Sequence, residues 1–296
     1  MAMMVDANRR SIEKELQSAT YLGSTKHCNC DIYTFDGAQF PSLMREVWRL
    51  RNLSFGQVGV VLDDGAARCV ADCDGSCRQL IIWDGAAGQI VGGYRYALGS
   101  VVAPRSLSFW QYYSLSPRFV NDYFPSAVEL GRSFVSPEYK CGGERHAIYA
   151  LDALWEGLGR VVVEADARYL FGRVTLYPSL GIRARNLIVG FMRYLFPQRE
   201  ALVSARVPLR VGLSRYRCRK LFVGETLTEN YRILLSLVRR MHNVVPPIIS
   251  SYMRLSPTMQ TFDAYENRDL GDVAEVAIML TVDDFYDNIK RRYLSC

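Results

Sequence analysis

The order of extended and helical patterns over residues 78–196 constrains the fold of this chain more than any other feature. Two strand patterns, RQLIIWD and QIVGGYRYAL, are separated only by GAAG, which predicts a hairpin with a glycine-containing loop. A strand over 127–135, a helix, another strand and a second helix follow in that order. This mixed order predicts an α/β or α+β sheet of about 6 to 8 strands.

The segments on either side are predicted to be mainly helical. Residues 1–30 have the pattern of an N-terminal helix followed by a polar loop, and apolar residues recur at helical spacing over 40–55. Further along, LTENYRILLSLVRRMHNV predicts a helix that is stopped by Pro246 and Pro247. VAEVAIMLTV then predicts a late strand that closes the sheet.

Composition disfavours several classes of protein. With 49% hydrophobic residues and a mean hydropathy of -0.02, the 296 residues have an ordinary globular balance. The sequence has no apolar run of about 18 residues and its N-terminus lacks a secretory hydrophobic core, which disfavours a membrane-spanning or a Sec-exported protein. The eight scattered cysteines are typical of reduced thiols, so we expect a cytoplasmic protein.

Common catalytic and metal-binding motifs are missing from the sequence. GxSxG, Walker A and Rossmann glycine patterns do not occur, which disfavours a serine hydrolase, a nucleotidase or a dehydrogenase. Cys28 and Cys30 form a CxC without the matching second pair that zinc sites usually have. His27, His146 and His242 lack the spacing of metal ligands or of a catalytic triad. We therefore predict neither a metal nor a tightly bound cofactor.

Positive charge is concentrated in one part of the chain. The net charge is +6, and Glu200 is the only acid between Ile182 and Lys220. A one-sided basic segment favours an anionic partner, whether nucleic acid, anionic lipid headgroups or an acidic protein. A solvated surface is the alternative, and it is the commoner explanation for any single arginine. The basic residues are Arg183, Arg185, Arg193, Arg199, Arg206, Arg210, Arg215, Arg217, Arg219 and Lys220.

The stretch VELGRSFVSPEY, residues 128–139, carries ionised side chains inside a strand pattern. Glu129 and Arg132 would point to opposite faces of a regular strand, because side chains alternate along it. A bulge at Gly131 would add one residue and bring both onto one face. It would also turn a backbone N–H away from the ladder, and an N–H beside a carboxylate is what acyl transfer to an amine needs. A structural ion pair at a sheet edge explains the same spacing equally well.

Several segments together resemble a known family of acyltransferases. ELGRSFVSPEY followed by GGERHAIYALDALW is similar to the central strand, turn and helix of the GNAT fold, although CGGER is a degenerate form of the acetyl-CoA loop. The Glu129–Arg132 spacing, LRNLSF and VGGYRY resemble the autoinducer synthases. RQLIIWD, YLFGRVTLYPS, VPPIISSYMRLSPTM and LGDVAEVAIML resemble the hemolysin-related N-acyltransferases that make ornithine lipids, glycine lipids and N-acyl glycines. The resemblance covers roughly residues 40–290.

This resemblance implies a fold and a division of the chain. The fold class is α/β (α+β), with a GNAT-like mixed central sheet flanked by helices, a helical insertion and a C-terminal extension. An N-terminal helix and loop would occupy 1–39, and a GNAT-like acyltransferase core would occupy 40–200. C-terminal helices and a closing strand over 201–296 would complete the same domain.

The resemblance also implies roles for charged residues. Glu129 would be the general base, or would orient the water that serves as the base, and Arg132 would hold Glu129 and the local loop in place. Asp74 matches the second acid of a paired acidic motif whose first acid is an alanine here. Asp74 and Arg95 would complete a polar network with Arg51, and structural ion pairing is an equally good account of these three residues.

Aromatic residues are the predicted walls of the substrate sites. Phe109 and Trp110 belong to an aromatic-rich stretch over 104–125 that would line an acyl-chain tunnel, with ordinary core packing as the alternative for each side chain. Such a tunnel would bind the chain through burial alone, since each buried methylene contributes about 0.8 kcal/mol. Trp155 and Tyr177 would border the acceptor pocket.

The function implied is transfer of a long-chain, 3-hydroxy fatty acyl group to the amine of a small amino acid such as glycine. The donor would be a phosphopantetheine thioester on acyl carrier protein, an acidic partner that would dock on the basic 183–220 surface. The amphipathic helix over 184–196 would either contact the inner membrane surface peripherally or pack into the core. The alternatives are a lysolipid O-acyltransferase and acylation of ornithine, lysine or another amine; nucleic-acid binding is not expected, because no binding motif supports it.

Overall fold

The computed structural model describes residues 2–60, 72–140 and 144–295. Within these ranges, strands and helices follow one another along the chain with the bounds given below. The strands are β1 Thr20–Ser24, β2 Asp31–Asp36, β3 Arg78–Asp84, β4 Gln89–Leu98, β5 Tyr113–Leu115, β6 Ala127–Val135, β7 Tyr169–Leu176, β8 Val203–Ala205, β9 Gln260–Asn267 and β10 Val273–Thr281. The helices are α1 Ala2–Leu16, α2 Pro41–Gly56, α3 Phe109–Tyr112, α4 Pro137–Lys140, α5 Glu144–Glu164, α6 Gly181–Leu195, α7 Arg215–Leu221, α8 Leu227–Arg240, α9 Pro247–Met253 and α10 Asp287–Ile289.

Eight of the described strands form one mixed sheet, in the order β1-β2-β3-β4-β6-β7-β10-β9. The neighbours are antiparallel except for β6 and β7, which are joined by helix α5 and run parallel. A helical crossover between two strands gives parallel neighbours, whereas a tight hairpin gives antiparallel ones. The prediction of a mixed sheet flanked by helices is therefore confirmed.

Helices and an aromatic segment cover both faces of this sheet. On one face, α5 and α6 contribute apolar side chains to the largest core cluster, together with residues of α9. On the other face, α1 and α2 pack over β2, β3 and β4. The rest of that second face, over β6, β7 and β10, is covered by the aromatic segment that includes α3. The sheet is thus the middle of three layers, the arrangement that buries both faces of a sheet.

The chain departs from the predicted elements mainly near its ends. The polar loop predicted before residue 30 contains β1, which extends the sheet beyond β2. β9 was not predicted, and it forms the opposite edge of the sheet next to β10. Both are edge strands, where a polar outer face weakens the alternation of apolar residues that reveals a strand. The hairpin of β3 and β4 and the strand over 127–135 lie where the sequence predicts them.

Strands β6 and β7 separate part of the way along their length. They pair from Ala127 with Tyr169 to Leu130 with Gly172, yet β6 continues to Val135 and β7 to Leu176. Beyond Leu130, β6 stays bound to β4, and β7 stays bound to β10. The two strands therefore open a wedge-shaped gap in the middle of the sheet, and backbone polar groups border this gap from both sides.

Candidate active site

A cavity of about 430 Å³ occupies the gap between β6 and β7. Its wall contains Leu130, Val174, Tyr94, Ile248 and Tyr252, which give one side an apolar character. The rest of the wall is mainly polar, and its polar residues come from the loop before β3, from α3 and the segment before it, from β7 and the residue after it, and from β6, β9 and β10. These polar residues are Asp74, Ser106, Ser108, Gln111, Tyr112, Arg132, Ser133, Arg173, Thr175, Tyr177, Asn267 and Glu275.

The bulge in β6 lies one residue beyond its predicted place. Gly131 still pairs with Arg95, but the next paired residues are Phe134 and Gly93, so β6 has one residue more than β4 across this interval. Arg132 has a φ of 51°, in the left-handed region that non-glycine residues rarely adopt. The bulge at Gly131 is therefore corrected to the step after it, where the extra residue is absorbed by the unusual backbone of Arg132. Arg132 borders the cavity.

Glu129 is buried next to a residue that lines the cavity. Its side chain is 1% exposed, and among the described residues neither carboxylate oxygen accepts a hydrogen bond. A Cβ at Gly131 would lie 3.9 Å from Glu129 Oε1 and 3.5 Å from Arg95 Nη2, so the Glu129 carboxylate is next to a glycine that lines the cavity. A buried carboxylate without a hydrogen bond is costly, because it has lost its hydration.

A buried cluster next to Glu129 holds two of the predicted arginines. Arg51 Nη1 lies 3.0 Å from Asp72 Oδ2, and Arg95 Nη1 lies 4.0 Å from Asp72 Oδ1. Gln79 bridges the two charges, because it accepts from Arg51 Nη2 at 2.6 Å and donates to Asp72 Oδ1 at 3.0 Å. Asp74 is exposed at the cavity wall and accepts from its neighbour's backbone. The predicted network exists, but its acid is Asp72 and not Asp74.

In this cluster, burial and the opposite charges nearby shift each pKa in opposite directions. Burial by itself would raise the pKa of Asp72, but Arg51 and Arg95 outweigh it and hold the pKa below its usual value. Burial lowers the pKa of Arg51 to about 10 in spite of Asp72, partly because Arg95 and Arg132 repel its charge. Arg51 therefore stays protonated at neutral pH, and the cluster carries charge inside the protein.

A second buried polar cluster was not predicted from the sequence. Glu275 Oε2 accepts hydrogen bonds from Arg173 Nη1 at 3.2 Å, from Asn267 Nδ2 at 3.0 Å and from the Tyr265 hydroxyl. Ser108 accepts from Arg173 at 3.0 Å and from Arg95 at 2.9 Å, and so links the two clusters. Burial by itself would raise the pKa of Glu275, but Arg173 and these hydrogen bonds hold it below its usual value.

The sequence offered one faint indication of this second cluster. Arg173 and Glu275 are charged residues inside otherwise apolar strand patterns, as Glu129 is. Their strands are far apart in the chain, and only the sheet order brings β7, β9 and β10 together. The polar wall of the cavity therefore depends on long-range strand pairing that a single sequence does not reveal.

The predicted aromatic residues have different positions. Phe109 is buried in the core, stacked on Tyr113 at 4.5 Å, and does not belong to the cavity wall described here. Trp110 lies at the surface under two arginines, and Trp155 packs behind Tyr252 at 5.1 Å. The acyl-tunnel role predicted for Phe109 and Trp110 is thus corrected to core packing and a surface contact.

Tyr177 and Tyr112 are the aromatic residues that border the polar side of the cavity. Burial raises the pKa of Tyr177 to about 12, so its hydroxyl remains neutral at physiological pH. Tyr112 belongs to the predicted aromatic stretch, and its ring stacks on Tyr265 at 4.5 Å. Tyr177, which was predicted to border the acceptor pocket, lines this cavity, whereas Trp155 packs against Tyr252 and is not among the residues that line it. That Tyr177 contacts the acceptor remains a prediction.

Two further expectations concern surfaces. The helix predicted over 184–196 is α6, and its apolar side, from Ala184 to Met192, is buried against the core. This packing leaves the helix no apolar face for a membrane. Most of the basic residues over 183–220 are exposed, whereas Arg185 and Arg193 pair with acids at 3.9 and 3.5 Å. Within the described ranges, no helix is both long and apolar enough to cross a bilayer.

A few sequence predictions concern parts of the chain that the structure does not describe. The glycine turn CGGER includes residues 141–143, and the alanine of the acidic motif lies within 61–71; both lie outside the described residues. The side chains of residues 144–147 are likewise outside them. The roles predicted for these segments remain predictions.

Comparison with known proteins gives consistent matches. The family model of the acetyltransferase (GNAT) domain matches residues 50–150. A Glycine N(alpha)-acyltransferase of Bacteroides thetaiotaomicron is 36% identical over 302 aligned residues, covering 97% of this chain and 88% of that protein. One from Phocaeicola vulgatus is 32% identical over 298 residues, covering 97% and 90%. The solved structure of FeeM, an N-acyl amino acid synthase from uncultured soil microbes, has a TM-score of 0.40 at 10% identity, covering 86% of this chain and 91% of that one.

Proposed function

The chain belongs to the family of the GNAT-fold glycine N-acyltransferases, and from this premise we propose that it forms N-acyl glycine. The enzyme is an acyltransferase that acts on an amino acid. The acyl group proposed is long-chain and 3-hydroxylated, and the donor proposed is its thioester on acyl carrier protein. One observation carries the proposal: the buried Glu129 carboxylate lies next to Gly131, which lines the gap between β6 and β7.

The gap suits an extended thioester. Between Gly131 and Val135, β6 presents a strand edge that β7 does not pair with. An extended chain can hydrogen-bond to such an edge as an added strand would. A backbone N–H that faces the gap can also donate to the thioester carbonyl oxygen, which becomes negative as the amine attacks. These features support a site in which the thioester carbonyl lies near the bulge.

The apolar side of the cavity suits the acyl chain. Tyr94, Leu130 and Tyr252 line it, and Leu130 and Tyr252 also border a second recess, next to Leu170 and Ile278, that is too narrow for a water molecule. Since each buried methylene contributes about 0.8 kcal/mol, apolar walls alone can bind a long chain. We place the acyl chain here instead of in the aromatic stretch over 104–125, because the rings of that stretch pack mostly into the core.

The chemistry requires the acceptor to lose a proton before it attacks. Glycine enters as an ammonium, and Glu129 takes one proton from it, directly or through a water. The amine nitrogen then attacks the thioester carbonyl carbon, the C–N bond forms and the C–S bond breaks. The second amine proton passes to the sulfur, so the products are N-acyl glycine and the free thiol. Glu129 suits this role because its carboxylate is desolvated and accepts no hydrogen bond within the described structure.

The partner and location predicted from the sequence belong to the same proposal. Acyl carrier protein is acidic, and the exposed arginines over 183–220 offer it a complementary surface. The reaction is proposed to take place in the cytoplasm, with peripheral contact at the inner membrane, into which an acylated product would partition.

A single substitution tests the proposed base. Glu129→Gln keeps the size of the side chain but removes its ability to accept a proton. We expect amide formation from acyl carrier protein thioester and glycine to fall about 100-fold or more, measured by mass spectrometry of the product. The melting temperature should not fall, because the replaced carboxylate makes no hydrogen bond in the described structure.

The matched control is Glu138→Gln, the same change at an exposed glutamate just after the same strand, which should leave turnover unchanged. Full turnover by Glu129→Gln would remove Glu129 from the mechanism. If the wild-type enzyme acylates lysolipid but no amino acid, the proposed acceptor is wrong.

A further inference from the structure

The polar wall of the cavity contains an asparagine whose hydrogen bonds are only half satisfied. Asn267, at the end of β9, is 7% exposed and borders the cavity. Its Nδ2 donates to Glu275 Oε2 at 3.0 Å. Within the described part of the chain, its Oδ1 is buried and accepts no hydrogen bond. A buried amide oxygen in this state has lost its hydration without compensation, and a ligand that donates a hydrogen bond to it would restore that interaction.

The orientation of this amide follows from its neighbour. The Glu275 carboxylate is ionised and can only accept hydrogen bonds, so the amide nitrogen must face it. Turning the amide over would bring two acceptor oxygens together. The oxygen of Asn267 is therefore held as an acceptor that is turned away from Glu275, in a residue that borders the cavity.

Charges of both signs border the same part of the cavity. Glu275 is negative and lies in the wall, where Arg173 pairs with one of its oxygens at 3.2 Å. Arg132 lies in the wall as well, close enough for its positive charge to act on Glu275. A zwitterion with an ammonium and a carboxylate about one carbon apart carries a charge that is complementary to each of Glu275 and Arg132. An uncharged amine or a lysolipid hydroxyl offers neither charge.

We propose that Asn267 and Glu275 form the subsite for the acceptor's ammonium group, with Arg132 facing its carboxylate. Asn267 Oδ1 accepts one ammonium N–H, and Glu275 supplies the opposite charge. This inference rests on the proposed function and adds the residues that recognise the amino acid. Two carboxylates then have separate roles. Glu275 is held ionised by three donors and suits binding, whereas Glu129 accepts no hydrogen bond from the described residues and suits proton transfer.

The test compares two asparagine-to-leucine variants. Asn267→Leu removes the amide at the cavity wall. Asn186→Leu, the control, removes another amide whose Oδ1 is buried without a hydrogen-bond partner in the described structure, but which does not belong to the cavity wall described here. We expect Asn267→Leu to raise the KM for glycine about 10-fold or more. Its kcat at saturating glycine and its KM for the acyl donor should stay within about threefold of wild type. Asn186→Leu should leave all three constants near their wild-type values.

An unchanged KM for glycine in Asn267→Leu would overturn the inference, as would an equal rise in both variants. The experiment distinguishes failure of the proposed function from failure of the subsite. The proposed function is wrong if the wild-type enzyme makes no N-acyl glycine. The subsite is wrong if the wild-type enzyme makes N-acyl glycine and Asn267→Leu has the same KM for glycine.

If Asn267→Leu does not fold, inhibition of the wild-type enzyme decides the question. N,N-dimethylglycine keeps one N–H, whereas glycine betaine has none. We expect dimethylglycine to compete with glycine and betaine to inhibit about 10-fold more weakly or worse. Equal inhibition by the two compounds would overturn the inference.

Discussion

Asp72 holds two arginines inside the protein, and its role could not be assigned from the sequence. The resemblance indicated Asp74 as the partner of Arg51 and Arg95, but Asp74 lies at the exposed cavity wall, two residues away. Along an irregular segment, a shift of two residues moves a side chain from the surface to the interior. For single residues, the sequence predicted a polar network and named both of its arginines. Which aspartate pairs with them depended on the local backbone conformation.

Removal of this acid should be strongly destabilising. Asp72→Asn removes the carboxylate that pairs with the buried Arg51 and Arg95, and breaking such a buried pair costs about 3 to 5 kcal/mol. Chemical denaturation at neutral pH measures the loss. Asp74→Asn is the control and should change the free energy of unfolding by less than about 0.5 kcal/mol. Adding Arg51→Met to Asp72→Asn should restore part of the stability. A loss below about 1 kcal/mol would contradict the role given to Asp72.

The interaction of Asp72 with the two arginines also predicts that the free energy of unfolding depends on pH. The pKa of Asp72 is lower in the folded protein than in the unfolded chain, so its contribution is present above the unfolded pKa of about 4 and is lost as pH falls further. The stability difference between wild type and Asp72→Asn should therefore shrink as the pH falls below about 4. A difference that grows in that direction would show that Asp72 is not held ionised by the arginines.

Among the elements, strands β6 and β7 decide where the site lies. The residues of β6 were predicted from the sequence, and so was a bulge, although it lies at Arg132 instead of Gly131. A glycine gives no indication of whether it, or its neighbour, adopts the positive φ. The separation of β6 from β7 was not predicted from the pattern of residues, because both segments continue as extended strands beyond the point where they part.

Two glycines on these strands should respond differently to the same substitution. At Gly131, a Cβ would meet Arg95 Nη2 at 3.5 Å, which is ordinary contact. At Gly172, where the strands still pair, a Cβ would lie 2.3 Å from the Leu130 carbonyl oxygen, which is a collision with the backbone.

Gly131→Ala should thus keep the melting temperature within about 2 °C of wild type but lower kcat/KM about 10-fold or more, because the methyl group covers Glu129. Gly172→Ala should destabilise the fold by about 1 to 3 kcal/mol. Melting curves and steady-state kinetics on both variants measure this. Full activity in Gly131→Ala would mean that substrate reaches Glu129 by another route.

At the scale of the whole molecule, the uneven distribution of basic residues can be predicted from the sequence, and the structure shows which of these residues are exposed. The sequence predicts a basic segment over 183–220, and the structure exposes most of its arginines while turning the apolar side of α6 inward. Helix α7 carries Arg215, Arg217 and Arg219 at the surface. An acidic carrier protein would be attracted to such a surface, and its association rate would fall with salt.

Charge reversal tests this docking surface. Arg217→Glu with Arg219→Glu should raise the KM for acyl carrier protein thioester about 10-fold at low salt and weaken its salt dependence. The KM for a pantetheine thioester without the carrier should change little. The control, Arg10→Glu with Arg45→Glu, makes the same charge change at exposed residues of α1 and α2 and should have no such effect. Equal effects of both pairs would mean that net charge, not this surface, attracts the carrier.

By itself, the sequence determined the mixed sheet and the boundaries of β3, β4 and β6, because the hydrophobic period is a local property. It also singled out Glu129 and Arg132 as charged residues within a strand pattern, and their catalytic roles remain predictions. Only the tertiary structure decided that β6 and β7 part, that Asp72 neutralises the buried arginines, and that Asn267 and Glu275 face the cavity beside Arg132. These depend on strand pairing across more than a hundred residues and on backbone angles at single positions. Long-range strand pairing and single backbone angles produce no periodic pattern of residues in one sequence. The contacts they create form only when the sheet is complete.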